Sequence, residues 1–283
     1  MTDAPPMTPA EAGALIRVPT VDDDKYSRGV VGFVTGSTQH PGAAVLGVEA
    51  ALRTGVGMVR YLGPPRPTEL VLQRRPEAVT AEGRVQAWVV GSGIASVGAL
   101  EAEPQRWALT ALASGHPIVI DAGAIDEASI ERATASRAPV VITPHAGELA
   151  RLLGRERSAV HDAPLEAARE AAAQLDVVVL LKGSTTRAVS PSGHVIEARS
   201  APAWLATAGA GDALAGLLGA LLAAHADALA ADEDRTLLTR LAAAAAVIHG
   251  LAAERASAGG PLTVLDLCAA ISPVIAQLVA DRS

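Results

Sequence analysis

One pattern constrains this chain more than any other. A short run of β-branched and aliphatic residues is followed by a glycine-bearing turn and then an alanine-rich stretch, and the unit recurs. The strand candidates are residues 30–35, 57–61, 87–90, 118–121, 140–143 and 177–181. Each is apolar almost throughout, as a strand must be when a parallel sheet is covered on both faces. The helix candidates between them are residues 42–54, 105–114, 125–135, 147–153 and 163–174. This alternation predicts an α/β sandwich of three layers, with a mostly parallel central sheet and helices on both faces. After Leu181 the pattern changes. Residues 186–190 and 194–198, joined by Pro191, Ser192 and Gly193, read as a hairpin. Long helices over 211–224, 234–253 and 263–280 close the chain. No linker, composition break or repeat interrupts residues 1–283, so a single domain is expected. Residues 1–28 form a polar N-terminal arm with a short helix near 9–16.

Composition narrows the function. Half the residues are hydrophobic and 19% are charged, which excludes a disordered or collagenous chain. A net charge of −7 and only six aromatic residues argue against a nucleic-acid binder, which needs a basic footprint or stacking platforms. The lone Cys268 excludes an internal disulfide and a multi-thiolate zinc site. The opening MTDAPPMTPAEAG has neither the basic nor the apolar region of a secretory signal. The apolar stretches 213–224 and 241–248 fall short of the ~20 residues that cross a bilayer. A cytoplasmic location is expected.

Five segments carry chemistry. In Thr207-Ala208-Gly209-Ala210-Gly211-Asp212, glycines precede an Asp at the start of a long apolar helix. Backbone N–H groups there, with the positive end of the helix dipole, make an anion hole from Gly209, Ala210 and Gly211. Asp212 reads either as a helix cap or as a general base for a substrate hydroxyl. The segment Lys182-Gly183-Ser184-Thr185-Thr186 follows a strand, where ligands of open α/β sheets bind. Lys182 stands out because Lys25 is the only other lysine. A compact ammonium beside a glycine turn suits a phosphate. In Thr143-Pro144-His145-Ala146-Gly147-Glu148, Glu148 complements a helix dipole, or His145 and Glu148 face a cleft. The loop Thr35-Gly36-Ser37-Thr38-Gln39-His40-Pro41-Gly42-Ala43 gives a bulky ligand access to the backbone. Val90-Gly91-Ser92-Gly93-Ile94 matches half of a dinucleotide fingerprint, with Ser96 at the third glycine. Asp121 closes a strand, where it caps a turn or helps hold a metal. GxxxxGK[ST], HExxH and GxSxG are all missing from the sequence.

In this order GSTQHPGAA, VVGSGI, DAGAI, TPHAGE, LKGSTT and TAGAGDALAG resemble the ADP/ATP-dependent NAD(P)H-hydrate dehydratases, of ribokinase-like fold. The resemblance spans about residues 29–222. GAGD is common to ribokinase-like enzymes, while PHxGE and GSxxxxPGA point to the dehydratase branch. The resemblance implies repair of the S-epimer of hydrated NADH or NADPH. ADP phosphorylates the C6 hydroxyl, AMP is released, and phosphate then leaves as the ring double bond returns. It implies Asp212 as base, with Gly209, Ala210 and Gly211 as anion hole. Lys182, Gly183, Ser184, Thr185, Thr186 and Gly211 match nucleotide-binding positions. Ala43, Gly93, His145 and Asp212 match positions that contact the hydrated cofactor. It also implies Mg2+ with the nucleotide, a homo-oligomer, commonly a tetramer, and an epimerase as pathway partner. With about 28 residues before the first strand, the epimerase is expected as a separate protein. No metal ligand is assigned. Ala208 and Gly123 depart from the family pattern, Gly123 by removing a second acidic group. The alternative is a ribokinase-like kinase of a sugar, hydroxymethylpyrimidine or thiazole alcohol.

Overall fold

Strands without polar alternation have to be covered on both faces. The computed structural model describes residues 6–198 and 201–282 and places eight strands in one sheet. They are β1 (Val30–Val34), β2 (Met58–Tyr61), β3 (Ala87–Val90), β4 (Ile118–Ile120), β5 (Val140–Ile142), β6 (Val178–Leu181), β7 (Thr186–Val189) and β8 (Val195–Ala198). Their order is β2-β1-β3-β4-β5-β6-β7-β8. β1 to β6 are parallel, and β7 and β8 add an antiparallel edge. Every residue of β1 to β6 is buried, which explains their apolar sequences; the one charged exception, Arg60 of β2, donates to the Ala81 and Arg84 carbonyls.

The helices are α1 (Pro9–Ala14), α2 (Pro41–Thr54), α3 (Pro65–Arg74), α4 (Ala102–Leu112), α5 (Glu127–Ala135), α6 (Ala146–Leu152), α7 (Arg157–Asp162), α8 (Pro164–Leu175), α9 (Ala210–Ala224), α10 (Ala226–Leu229), α11 (Thr236–Ser257) and α12 (Val264–Ala280). Side chains alternate across each strand. Val31, Phe33, Val89 and Val119 face a core built with α1, α2, α9, α11 and α12. Val34, Val90, Ile118 and Ile142 face a second core with α4, α5, α6 and α8. This is the three-layer arrangement expected from the alternation. In the first core α2 and α9 touch backbone to backbone. A Cβ at Gly216 would collide with the Gly47 carbonyl, so small residues set the helix spacing.

The sequence reading passes over α3, α7 and α10. Pro64, Pro65 and Pro67 mask α3, although a first turn needs no N–H from its prolines. The N-terminal arm is also more integrated than expected. The Met7 N–H donates to the Glu197 carbonyl at 2.8 Å, and Met7, Ala12, Leu15 and Ile16 enter the first core. α11 runs well beyond the apolar stretch 241–248. By length and composition it could cross a membrane, but 78% of its most apolar window is buried inside this fold.

Candidate active site

The strand order turns back at β1, which lies between β2 and β3, and such a switch point opens a crevice at the carboxyl ends of the strands. The motif segments meet along that edge. Gly209 precedes α9 with φ of +92°, a left-handed conformation that glycine adopts freely. No side chain caps this helix, so the Gly209 and Gly211 N–H groups stay available, while the Ala210 N–H donates to the Thr207 carbonyl at a long 3.4 Å. Asp212 lies in the first turn and makes no side-chain cap, which removes the capping reading. Its carboxylate has no hydrogen-bond or ion-pair partner among the described residues. Burial raises its pKa to about 7, with the Asp121 charge adding to the rise and Lys182 opposing it.

Asp121 follows β4 and is 2% exposed. It neither caps the turn beside it nor stands free for a metal. Its Oδ1 accepts from Thr143 Oγ1 at 2.6 Å and Lys182 Nζ at 3.0 Å, and its Oδ2 from Ser92 Oγ at 2.7 Å. Burial alone would raise the Asp121 carboxyl, but Lys182 and the two hydroxyls bring it below the usual range. Burial would likewise depress Lys182, but Asp121, Glu148 and Asp212 hold its ammonium protonated. Glu148 Oε2 lies 4.0 Å from Nζ. The ammonium also reaches the anion hole, because a Cβ at Gly211 would lie 3.3 Å from Nζ. The Lys182 N–H donates to the Pro144 carbonyl at 2.8 Å, so the lysine segment and the histidine segment are bound together.

Both readings of the histidine segment hold. His145 Nδ1 accepts from the Gly147 and Glu148 N–H groups at 3.0 and 3.2 Å, and Glu148 returns a bond to the His145 N–H. That capping box leaves Nε2 at the surface, 3.5 Å from Glu148 Oε1. His145 and Glu148 also line a cleft of about 370 Å³ with Ile94, Ala122, Gly123 and Arg151. Ala43 adjoins Gly93, where an added Cβ would meet its methyl group. At Gly123 a Cβ would collide with the Ile94 carbonyl. The missing acidic group therefore has no room unless the loop after β3 moves. Gly183, Ser184 and Thr185 form the turn leaving β6 and Thr186 opens β7, on the far side of Lys182 from His145 in sequence.

Sequence reasoning assigned no role to Ser92 or Thr143, although both lie in its motifs. It also missed His249 of α11, which is 5% exposed and hydrogen-bonded to the Ala210 backbone. Burial depresses this imidazole to about 4, and Nε2 has no partner. Only the fold brings residue 249 beneath the glycine turn. Among the described residues no group of three or more His, Cys, Asp or Glu side chains could hold a metal.

A family model described as NAD(P)H-hydrate dehydratase matches residues 31–272. The bifunctional NAD(P)H-hydrate repair enzyme Nnr of Mycobacterium leprae is 40% identical over 222 residues, covering 76% of this chain and 45% of the relative. The chain thus spans about half the length of the curated Nnr relatives it matches. The ADP-dependent (S)-NAD(P)H-hydrate dehydratase of Xanthomonas campestris pv. campestris is 34% identical over 234 residues, covering 76% of this chain and 79% of the relative. The crystal structure of the ADP/ATP-dependent NAD(P)H-hydrate dehydratase from Bacillus subtilis, co-crystallized with ATP/Mg2+, has a TM-score of 0.82 at 25% identity. It covers 98% of this chain and all of that one, so the ribokinase-like fold is shared along their length. Family model, relatives and fold agree with the motifs: this chain belongs to the NAD(P)H-hydrate dehydratase family.

Proposed function

We propose that the protein dehydrates the S-epimer of hydrated NADH or NADPH, with ADP as phosphoryl donor and AMP as product. The observation that carries this is the unpartnered Asp212 carboxylate at the mouth of the anion hole. A hydroxyl leaves poorly and a phosphate leaves well. Asp212 takes the proton of the C6 hydroxyl as its oxygen attacks the terminal phosphorus of ADP. The bond between that phosphorus and the bridging oxygen breaks, and AMP departs. The N–H groups of Gly209 and Gly211 receive the charge that develops on the transferred group, with that of Ala210 once it exchanges the Thr207 carbonyl for a phosphoryl oxygen. The phosphorylated ring then loses phosphate from C6 and a proton from C5, which restores the double bond. In this reading the nucleotide lies against Lys182, Gly183, Ser184, Thr185 and Thr186. The hydrated ring lies near Ala43, Gly93 and His145. Mg2+ typically keeps most of its waters and binds through substrate phosphates and one or two carboxylates. Among the described residues no group of three or more His, Cys, Asp or Glu side chains could hold the ion, and in this reading it enters on the nucleotide.

The test is incubation of the protein with hydrated NADH and either ADP or ATP, following absorbance of the reduced nicotinamide. Recovery with ADP is expected. No recovery with either nucleotide overturns the reading, and a stable phosphorylated alcohol marks the protein as a small-molecule kinase instead.

A further inference from the structure

Among the described residues one cation, Lys182, stands beside the first turn of α9, and it is tethered. Lys182 carries a flexible four-carbon stem with a compact charge, so its position depends on what holds its end. Asp121 holds it at 3.0 Å, and Ser92 and Thr143 in turn fix the Asp121 carboxylate. The donors come from the ends of β3, β5 and β6, and the acceptor from the end of β4. Four adjacent strands thus converge on one buried carboxylate. Both its oxygens are engaged, which removes Asp121 as a competing base. A buried charge of this kind is costly and persists only where it is paired and hydrogen-bonded.

We propose that Asp121 is a positioning residue: it fixes the Lys182 ammonium at the mouth of the anion hole and sets a permanent negative charge beside Asp212. The claim deepens the reading of Asp212 as general base, on which it rests. Among the described residues, Asp121 from the end of β4 and Lys182 from the end of β6 are the two charges that act on Asp212. Glu148 of α6 acts on Lys182 from the other side, paired to His145. His249 of α11 lies behind the glycine turn and is neutral above pH 5. The two near charges oppose each other. Asp121 keeps Asp212 basic enough to accept a proton near neutrality, and Lys182 keeps it from remaining protonated there.

Two substitutions should therefore displace the Asp212 titration in opposite directions. Asp121→Asn keeps one hydroxyl bond to its amide oxygen and reverses the other, its amide nitrogen donating to that hydroxyl, but leaves Lys182 unopposed. Lys182→Met leaves Asp121 unopposed. The experiment follows the carboxyl carbon resonances of the isotopically labelled protein against pH, without substrate, the Asp212 signal being the one lost in Asp212→Asn. Asp121→Asn should lower the midpoint by about one unit or more, and Lys182→Met should raise it by a similar amount. The acid limb of kcat/KM should follow in whichever variant retains turnover. Midpoints within about 0.3 unit of the unsubstituted protein in both variants overturn the proposal, because removing a charge that acts on a buried carboxyl normally moves it further than that. If Asp121→Asn does not fold, the Lys182→Met titration decides alone. The resonances need no turnover, so a protein inactive on hydrated NADH with displaced midpoints fails the proposed function and not this one. An active dehydratase with fixed midpoints does the reverse.

Discussion

At the scale of single residues, the site rests on a carboxyl group kept out of ordinary use. Asp212→Asn should abolish turnover while leaving ADP affinity within about threefold, measured by kinetics and calorimetry. The same change should stabilise the fold. The Asp212 pKa is raised from 3.8 to about 7, so the folded state binds the extra proton between those values. Its ionised form therefore costs stability that grows as pH rises from about 4 to 7. Asp212→Asn should unfold at a higher temperature at pH 8, by at most the ~4 kcal/mol that about three units represent. That gain should vanish near pH 4. The rate should climb with pH through about 7 as Asp212 ionises. Asp212 and Lys182 were legible in the sequence because a glycine turn and a scarce residue type marked them. Asp121 was visible only as a strand end, since its work is done by hydroxyls and an ammonium from three other segments. His249 carried no local signal at all.

At the scale of elements, the strands of the parallel sheet could be read nearly to the residue, because two-sided burial leaves an apolar run with sharp ends. α3 could not, since its prolines look like loop until the first-turn exemption is applied. Its end has a structural task. Arg74 of α3, Arg75 just after it and Arg53 of α2 converge on Glu49 of α2, whose side chain is fully buried. Burial would raise the Glu49 carboxyl, yet the arginines hold it below its usual range. Its contribution is complete above the ordinary glutamate value and is lost as pH falls through the lowered one. Glu49→Gln should destabilise the protein by about 3 kcal/mol at pH 7, the low end for breaking a buried pair, because Arg53 and Arg74 remain partly exposed. Chemical denaturation at pH 7 and pH 3 should show that difference shrinking in acid.

At the scale of the whole molecule, the alanine-rich composition acquires a geometric meaning. Helices without bulk lie close to one another and to the sheet, and a core of this kind needs few aromatic residues. Gly216→Ala should cost roughly 1–3 kcal/mol by thermal unfolding, because the new methyl group meets the Gly47 backbone. The larger effect should be on rate. α2 begins just before Ala43, and α9 begins just before Asp212. Their contact at Gly47 and Gly216 leaves no compressible side chain between the two helices. In the proposed reading, the floor under the substrate at Ala43 and the base at Asp212 therefore travel as one rigid body. A wedge driven between the helices several residues below the cleft would open a gap where the proton must pass. Misplacement of about 1 Å can cost ~10²-fold in rate. The tolerance of the chemistry is thus set at a point that touches neither substrate, by two residues that have no side chains.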